Sequence, residues 1–198
     1  MPFRVPLLVF ALSLPMVAAA APAAEAPARS RALVAAFMNV PGTPGPARNR
    51  AFTELDGYLA LEELVSSAVS PRASRFSAKE LARFKVSFRE VLRLVAYTES
   101  GDFFRKSRLT WGQPRADGAE TVVPVKVVVT GEDLETEVAF RWRPIGGVLR
   151  VVDVDFEGDS LLKDYQNQIA RIVDKSGPAG LQKAVDERHA EVTKEKKK

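Results

Sequence analysis

The strongest constraint on the fold lies in residues 151–173, VVDVDFEGDSLLKDYQNQIARIV, where a strand pattern changes into a helix pattern. Val152, Val154 and Phe156 alternate with acidic residues, which predicts the apolar face of a half-buried strand. A Glu-Gly turn follows, and apolar residues then recur at helical spacing behind Ser160, a residue suited to capping a helix N-terminus. This order predicts a sheet whose last strand leads directly into a packed helix.

The same alternation occurs upstream. One predicted strand face carries Val123, Val125, Val127 and Val129, and the next carries Thr136, Val138, Phe140 and Trp142. Four strands are predicted in all, at residues 108–114, 121–130, 134–143 and 148–157. Because the connections between them are short, we expect an antiparallel meander with one strongly apolar side.

Apolar residues at three- and four-residue steps predict the helices. These lie at residues 29–38, 47–55, 58–69, 160–174 and 178–188, the last two separated by Gly177 and Pro178. The longest helix begins at a capping box made by Ser77 and Glu80, and Gly101 predicts that it ends early. The fold class is therefore α+β, a curved four-stranded antiparallel sheet packed against several helices.

The N-terminal residues 1–20 combine an early arginine, a short apolar run and an Ala-x-Ala site, which predicts a secretory signal peptide. A transmembrane anchor is the alternative, but the run is short for a bilayer and contains two prolines. Residues 21–29, rich in alanine and proline, are predicted to be a linker. A single domain is expected over residues 30–190, followed by a basic disordered tail at 191–198.

Composition excludes several classes of function. The chain has no cysteine, so neither a disulfide nor a lipoprotein anchor is expected. The formal charge is +4, but the signal peptide and the KEKKK end carry the positive excess, which leaves a nearly neutral domain. A neutral domain argues against a nucleic-acid partner. We expect no cofactor or metal.

Several motifs occur in a recognisable order. They are SFREVL at residues 87–92, ETVVPVKVVV at 120–129, VAFRWR at 138–143, and EGDSL at 157–161 followed by Lys163, Tyr165 and Gln168. Together they cover residues 58–188 and resemble the MlaC, or toluene-tolerance, family of periplasmic phospholipid carriers. The resemblance implies a cone-shaped, NTF2-like fold that encloses acyl chains between sheet and helices and leaves the headgroup in water.

The resemblance also implies which residues line the lipid cavity. They are Phe88, Leu92, Val123, Val125, Val127, Thr136, Val138, Phe140, Val152, Val154 and Asp159. From the pattern alone, an ordinary filled core is the favoured explanation of the apolar members, and the resemblance reverses that order. Asp159 and Thr136 depart from the family, which usually has a small apolar and an aliphatic residue there, so we expect a more polar cavity mouth.

The implied function is that of a soluble periplasmic carrier that shuttles phospholipid between membrane complexes and so maintains outer-membrane lipid asymmetry. The implied partners are the phospholipid itself, an inner-membrane ABC transporter complex with a lipid-binding ring, and an outer-membrane lipoprotein complex. We expect a monomer. A hopanoid or another amphiphile is the alternative cargo.

An enzyme on the same fold is the alternative from another class. Asp153 and Asp155 could form an acid–base pair facing a cavity, although their alternation with Val154 favours a solvent-facing pair. The single histidine, His189, lies near the charged C-terminal end, and the chain contains no Gly-x-Ser-x-Gly elbow. His-dependent acyl transfer is therefore not expected. A scaffold of the envelope that binds protein rather than lipid is the third possibility.

Overall fold

The computed structural model describes residues 20–132 and 134–195. The predicted signal peptide lies outside the described residues, apart from Ala20. Five helices are described: α1 (Ala20–Met38), α2 (Pro46–Asp56), α3 (Leu61–Val69), α4 (Ala78–Arg105) and α5 (Leu161–Glu195). A 3-10 turn, Ser70–Arg75, joins α3 to α4.

Six strands form one antiparallel sheet. They are β1 (Ser107–Trp111), β2 (Arg115–Asp117), β3 (Glu120–Val129), β4 (Glu135–Ile145), β5 (Val148–Phe156) and β6 (Asp159–Ser160). The strand order is β1-β3-β4-β5-β6, with β2 also paired to β3. The α+β class is confirmed, whereas the count of four strands is wrong. The two additional strands, β2 and β6, have three and two residues, too few for an alternating pattern to show in the sequence.

A β-bulge changes the inner face of β5. Trp142 of β4 pairs with Val151, but the preceding residue of β4 pairs with Asp153, so Val152 is the extra residue. Because side chains alternate along a strand, this extra residue moves Val151 to the face that also carries Val154 and Phe156. The prediction that Val152 shares that face is wrong, because the bulge reverses its direction.

The helix α1 begins earlier than predicted. Residues 21–29 continue the helix rather than forming a linker, because they carry part of the buried face that covers the sheet. Ala26 and Ser30 are fully buried, and the Ser30 hydroxyl accepts a 2.8 Å hydrogen bond from the indole N–H of Trp142. This contact ties α1 to β4 through a buried polar pair.

The longest uninterrupted helix, α4, begins at the predicted capping box of Ser77 and Glu80, which is confirmed. It does not end early at Gly101 but continues to Arg105. A Cβ atom at Gly101 would lie 2.5 Å from the carbonyl oxygen of Phe37, so glycine is needed there for the close approach of α1 and α4. The glycine therefore marks a close contact between α1 and α4, and not the end of a helix.

The last helix, α5, is interrupted at Gly177, where φ is 67° and ψ is 179°. The predicted division at this glycine is confirmed. The second segment extends to Glu195, and Val192 is 3% exposed, so the prediction of a disordered tail is wrong for residues 191–195. Residues 196–198 lie outside the described part of the chain.

The helix α3 begins at Leu61, three residues later than predicted. The preceding residues pair with the bulge in β5 instead: the N–H of Val151 donates to the carbonyl of Tyr58 at 2.8 Å, and the N–H of Ala60 donates to Val151 at 2.9 Å. This bridge holds the start of α3 against the sheet and positions one wall of the site.

Candidate ligand-binding cavity

An apolar cavity of about 100 Å³ lies between the sheet and the helices. The sheet side consists of Val138, Phe140, Val151, Val154 and Phe156, from the inner face of β4 and β5. The helix side comes from the end of α1, the start of α3, the second half of α4, and Leu161 and Tyr165 of α5. Among the described residues, the polar side chains that line it are Tyr97, Ser100 and Tyr165, and none that lines it is charged.

Part of the residue set proposed from the sequence meets at this cavity. Leu92, Val138, Phe140 and Val154 line it. Val123, Val125 and Val127 lie on the same sheet face, but they are fully buried in the core beneath α1 and do not reach the cavity. Their side chains fill the core, which was the alternative reading of the alternating pattern.

The remaining members lie elsewhere. Phe88 belongs to a separate helix cluster, where its ring contacts Tyr165. Thr136 is half-buried at the end of β4, and its hydroxyl hydrogen-bonds the carboxylate of Glu157. Val152 lies on the outer face because of the bulge. Asp159 is exposed in β6, beyond the last cavity-lining residue of β5.

Sequence reasoning missed most of the helix side. Leu92, Ala96, Ser100 and Phe104 follow one another at four-residue steps along α4 and all line the cavity. This spacing is visible in the sequence, but the prediction that the helix ends near Gly101 left Phe104 outside it, and Ala96 and Ser100 were not predicted to line the cavity. The segment Leu59–Leu61 could not have been found, because only its bridge to β5 brings it to the cavity.

The cavity opens to solvent at the end of β5. Phe156 lines the cavity and is nevertheless 43% exposed. The turn after it is formed by Glu157 (φ 51°) and Gly158 (φ 86°), both in the left-handed region. This turn reverses the chain so that Leu161 and Tyr165 form the opposite side of the opening. We refer to Phe156, Leu161 and Tyr165 as the mouth.

The phenols beside the cavity lie in an apolar environment. Burial raises the pKa of Tyr97, and the hydrogen bond that Tyr97 donates to Asp56 raises it further. Burial, with a smaller contribution from the negative charge of Glu99, raises the pKa of Tyr165 to about 12. Both phenols are therefore neutral at physiological pH, so neither places a charge at the cavity wall.

The two aspartates of β5 have structural roles on the outer face. Asp155 is 4% exposed and is bound by the guanidinium of Arg141, with a 2.9 Å contact to its Nε. Asp153 is 8% exposed and accepts the backbone N–H groups of Val154 at 2.8 Å and Leu162 at 2.9 Å. The prediction of a solvent-facing pair is wrong, since both are buried, and neither lines the cavity.

Asp153 also accepts a hydrogen bond from the hydroxyl of Ser160, which in turn accepts the N–H of Lys163 at 3.0 Å. The two side chains together cap the N-terminus of α5. His189 is exposed in the second segment of α5 and does not line the cavity. In the described ranges, no group of three or more His, Asp or Glu side chains is arranged to hold a metal ion.

The fold and the site define an α+β protein in which part of the core between sheet and helices is an apolar cavity with one open end. The sequence profile of the MlaC family matches residues 33–187, most of the chain. The chain belongs to the MlaC family.

Comparison with solved structures agrees on the fold. The chain is similar to the phospholipid-binding protein of Ralstonia solanacearum, solved in complex with a phospholipid, with a TM-score of 0.64 and 18% sequence identity. The match covers 86% of this chain and 97% of that protein. No curated protein matches the chain. None of the helices in the described residues combines the length and apolarity needed to cross a bilayer.

Proposed function

We propose that this chain is a periplasmic carrier that encloses phospholipid acyl chains in the cavity and moves the lipid between the inner and outer membranes. The observation that carries the proposal is the apolar cavity with its open mouth, found in a protein of the MlaC family. The lipid-bound Ralstonia solanacearum protein of similar fold supports the choice of ligand.

Acyl burial supplies the driving force for such a carrier. Each buried methylene contributes about 0.8 kcal/mol, so a chain of about sixteen carbons yields on the order of 12 kcal/mol of gross gain. A lipid crossing water needs this enclosure, and smooth aliphatic walls provide it without any chemical step. The absence of charged lining side chains among the described residues predicts little headgroup selectivity, because the headgroup stays outside the mouth.

The volume requires the walls to move when a lipid enters. A cavity of about 100 Å³ is smaller than the engineered cavity of about 150 Å³ that accommodates one benzene molecule. It holds only a few methylene groups as it stands. We therefore expect α3, α4 and the first segment of α5 to separate from the sheet as an acyl chain fills the space between them.

A carrier must also exchange its cargo. We propose that the chain receives and delivers lipid at an inner-membrane ABC transporter complex with a lipid-binding ring and at an outer-membrane lipoprotein complex, as a monomer between them. This exchange would maintain the lipid asymmetry of the outer membrane. Export would require the N-terminal signal, whose cleavage near Ala20 can be read from the intact mass of the periplasmic protein.

The test is native mass spectrometry of the protein purified from a periplasm without detergent, with lipid analysis of the extract. Two substitutions on α4 make a matched pair. Ala96 lines the cavity, so Ala96→Leu fills space that the acyl chain needs; Ala82 is exposed on the same helix, so Ala82→Leu serves as the control. We expect wild type and Ala82→Leu to retain diacyl phospholipid, and Ala96→Leu to lose most of it.

A wild-type protein that carries no lipid, and takes none from phospholipid vesicles, contradicts the proposal. Equal lipid occupancy in all three proteins contradicts the location of the site. Co-purified hopanoid without phospholipid contradicts the cargo but not the carrier role.

A further inference from the structure

A second apolar space lies next to the cavity, between α4 and the two segments of α5. It is a crevice of about 150 Å³ that opens to the surface. Its walls include Phe84, Phe88, Ile172, Leu181 and Ala184, which belong to the helix cluster or lie beside it. Among the described residues, its polar side chains are Tyr165, Gln168 and Arg188. The crevice shares no sheet residue with the cavity.

One side chain separates the two spaces. Tyr165 lines both the cavity and the crevice, and its ring contacts Phe88 edge to face, with 5.4 Å between the ring centroids. No hydrogen bond from its hydroxyl to another described residue is present, so rotation of the ring breaks no polar contact within the described part of the chain. The ring is half-buried. Tyr165 therefore lies between the cavity and the crevice, and within the described part of the chain only packing contacts hold its ring in place.

We propose that Tyr165 is a gate between two acyl compartments and that the crevice receives the far end of a long acyl chain. The inference rests on the proposed carrier function. The first cavity holds only a few methylenes as it stands, so a full chain needs further space, which either separation of the cavity walls or an adjoining apolar compartment can supply. The adjoining space with apolar walls is the crevice, and displacement of the Tyr165 ring joins it to the cavity.

The gate accounts for the position of Phe88. The family resemblance implies that this residue contacts the lipid, whereas in the structure it lies in the crevice and outside the cavity. If the two spaces join, Phe88 lies along the path of the chain between them. The glycine break at Gly177 lets the second segment of α5 form the far wall of the crevice, with Leu181 and Ala184.

The experiment measures binding of saturated lysophospholipids of increasing chain length. Ala184→Leu fills the crevice without touching the first cavity, and Ala179→Leu is the control, since Ala179 is exposed on the same helix segment outside the crevice. Each excluded methylene weakens binding about fourfold. We expect Ala184→Leu to weaken binding of the longest lysophospholipids by on the order of 10- to 100-fold, whereas the shortest bind as they do to the wild-type protein.

A second variant tests the gate itself. Tyr165→Ala removes the partition, and we expect the ratio of long-chain to short-chain uptake rates to rise several-fold, because only the longest chains gain the joined space. If Tyr165 had only a structural role, its removal would change the uptake rate of all chain lengths alike. Circular dichroism melts of each variant establish that it is folded before binding is compared.

The outcomes separate this inference from the carrier proposal. Wild-type protein that binds none of the chains overturns both. Wild-type protein that binds lipid, with Ala184→Leu and Tyr165→Ala showing the same dependence on chain length, overturns the gate and leaves the carrier. A length-dependent loss in Ala184→Leu that is absent in Ala179→Leu supports the second compartment.

Discussion

The phenol of Tyr97 donates a 2.7 Å hydrogen bond to Asp56, and this contact joins α4 to the end of α2 beside the cavity. The same carboxylate is bound by Arg93, through contacts of 3.1 Å to its Nε and 3.0 Å to its Nη2. Asp56 therefore connects two residues of α4, Tyr97, which faces the cavity, and Arg93, whose side chain is 20% exposed. The contact holds α4 in the position from which it lines the cavity.

Removing this hydroxyl tests the contact. Tyr97→Phe keeps the ring but leaves the buried end of the Asp56 carboxylate without its phenol donor, so we expect the free energy of unfolding to fall by about 1–2 kcal/mol. Tyr165→Phe is the matched control, because its hydroxyl has no hydrogen bond to another described residue; its change should stay within about 0.5 kcal/mol. Urea denaturation measures both, and equal losses would contradict the assigned role of Tyr97.

Gly101→Ala separates helix propensity from helix packing. Propensity alone predicts a gain of about 1 kcal/mol, since alanine is the better helix former. The carbonyl oxygen of Phe37, at 2.5 Å from the added Cβ, predicts instead a loss of about 1–3 kcal/mol. We expect a lower unfolding midpoint. Gly42→Ala is the control, with no atom within 4 Å of its added Cβ; a stabilised Gly101→Ala would contradict the close approach.

Asp153→Ala removes a buried cap from α5. Two backbone N–H groups and the hydroxyl of Ser160 lose their acceptor, so we expect a loss of about 3 kcal/mol in the free energy of unfolding. Asp159→Ala, an exposed aspartate in the same turn region, should change it by about 0.5 kcal/mol or less. If Asp153→Ala changed stability as little as this control, the capping role would be refuted.

The raised pKa of Tyr165 predicts a loss of stability in alkali. The phenol is protonated in the folded protein up to about pH 12, whereas it ionises near pH 10 in the unfolded chain. The unfolded state therefore loses its proton first, and stability falls as the pH rises between these values, by up to about 1.4 kcal/mol per unit. Tyr165→Phe should remove this part of the alkaline loss, which urea denaturation across the alkaline range measures.

A substitution at Phe156 tests whether lipid enters the cavity at the mouth. The exposed ring of Phe156 lines the opening, so Phe156→Asp places a charge where acyl chains would enter. We expect lipid uptake from vesicles to slow by about tenfold, which corresponds to roughly 1.4 kcal/mol at the entry step. Val86→Asp is the control, because Val86 is 59% exposed on α4 and does not line the cavity. Equal rates in the two variants would place the entry elsewhere.

The local elements were largely predictable from the sequence. Alternating valines indicated β3, the capping box of Ser77 and Glu80 gave the start of α4, and Gly177 gave the break in α5. These signals are local because each depends on backbone geometry over a few neighbouring residues. The family motifs extended the prediction to an α+β fold with a cavity between sheet and helices.

The composition of the site depended on contacts that no local pattern contains. The bulge opposite Trp142 turned Val152 outward and Val151 inward, and the bridge from Tyr58 brought the start of α3 to the cavity. Gly101 was read as a helix end, although it marks the close approach of α1. Each of these is set by a partner in another helix or strand.

The sequence by itself determined the periodic elements, their caps and the apolar faces available for burial, because these follow from the spacing of neighbouring side chains. Only the tertiary structure decided which apolar residues fill the core and which enclose a cavity. Val125 and Val138 pair directly across β3 and β4 and are both buried, yet only Val138 of the two lines the cavity. The helices above the sheet make that difference, since they cover Val125 and leave space beside Val138.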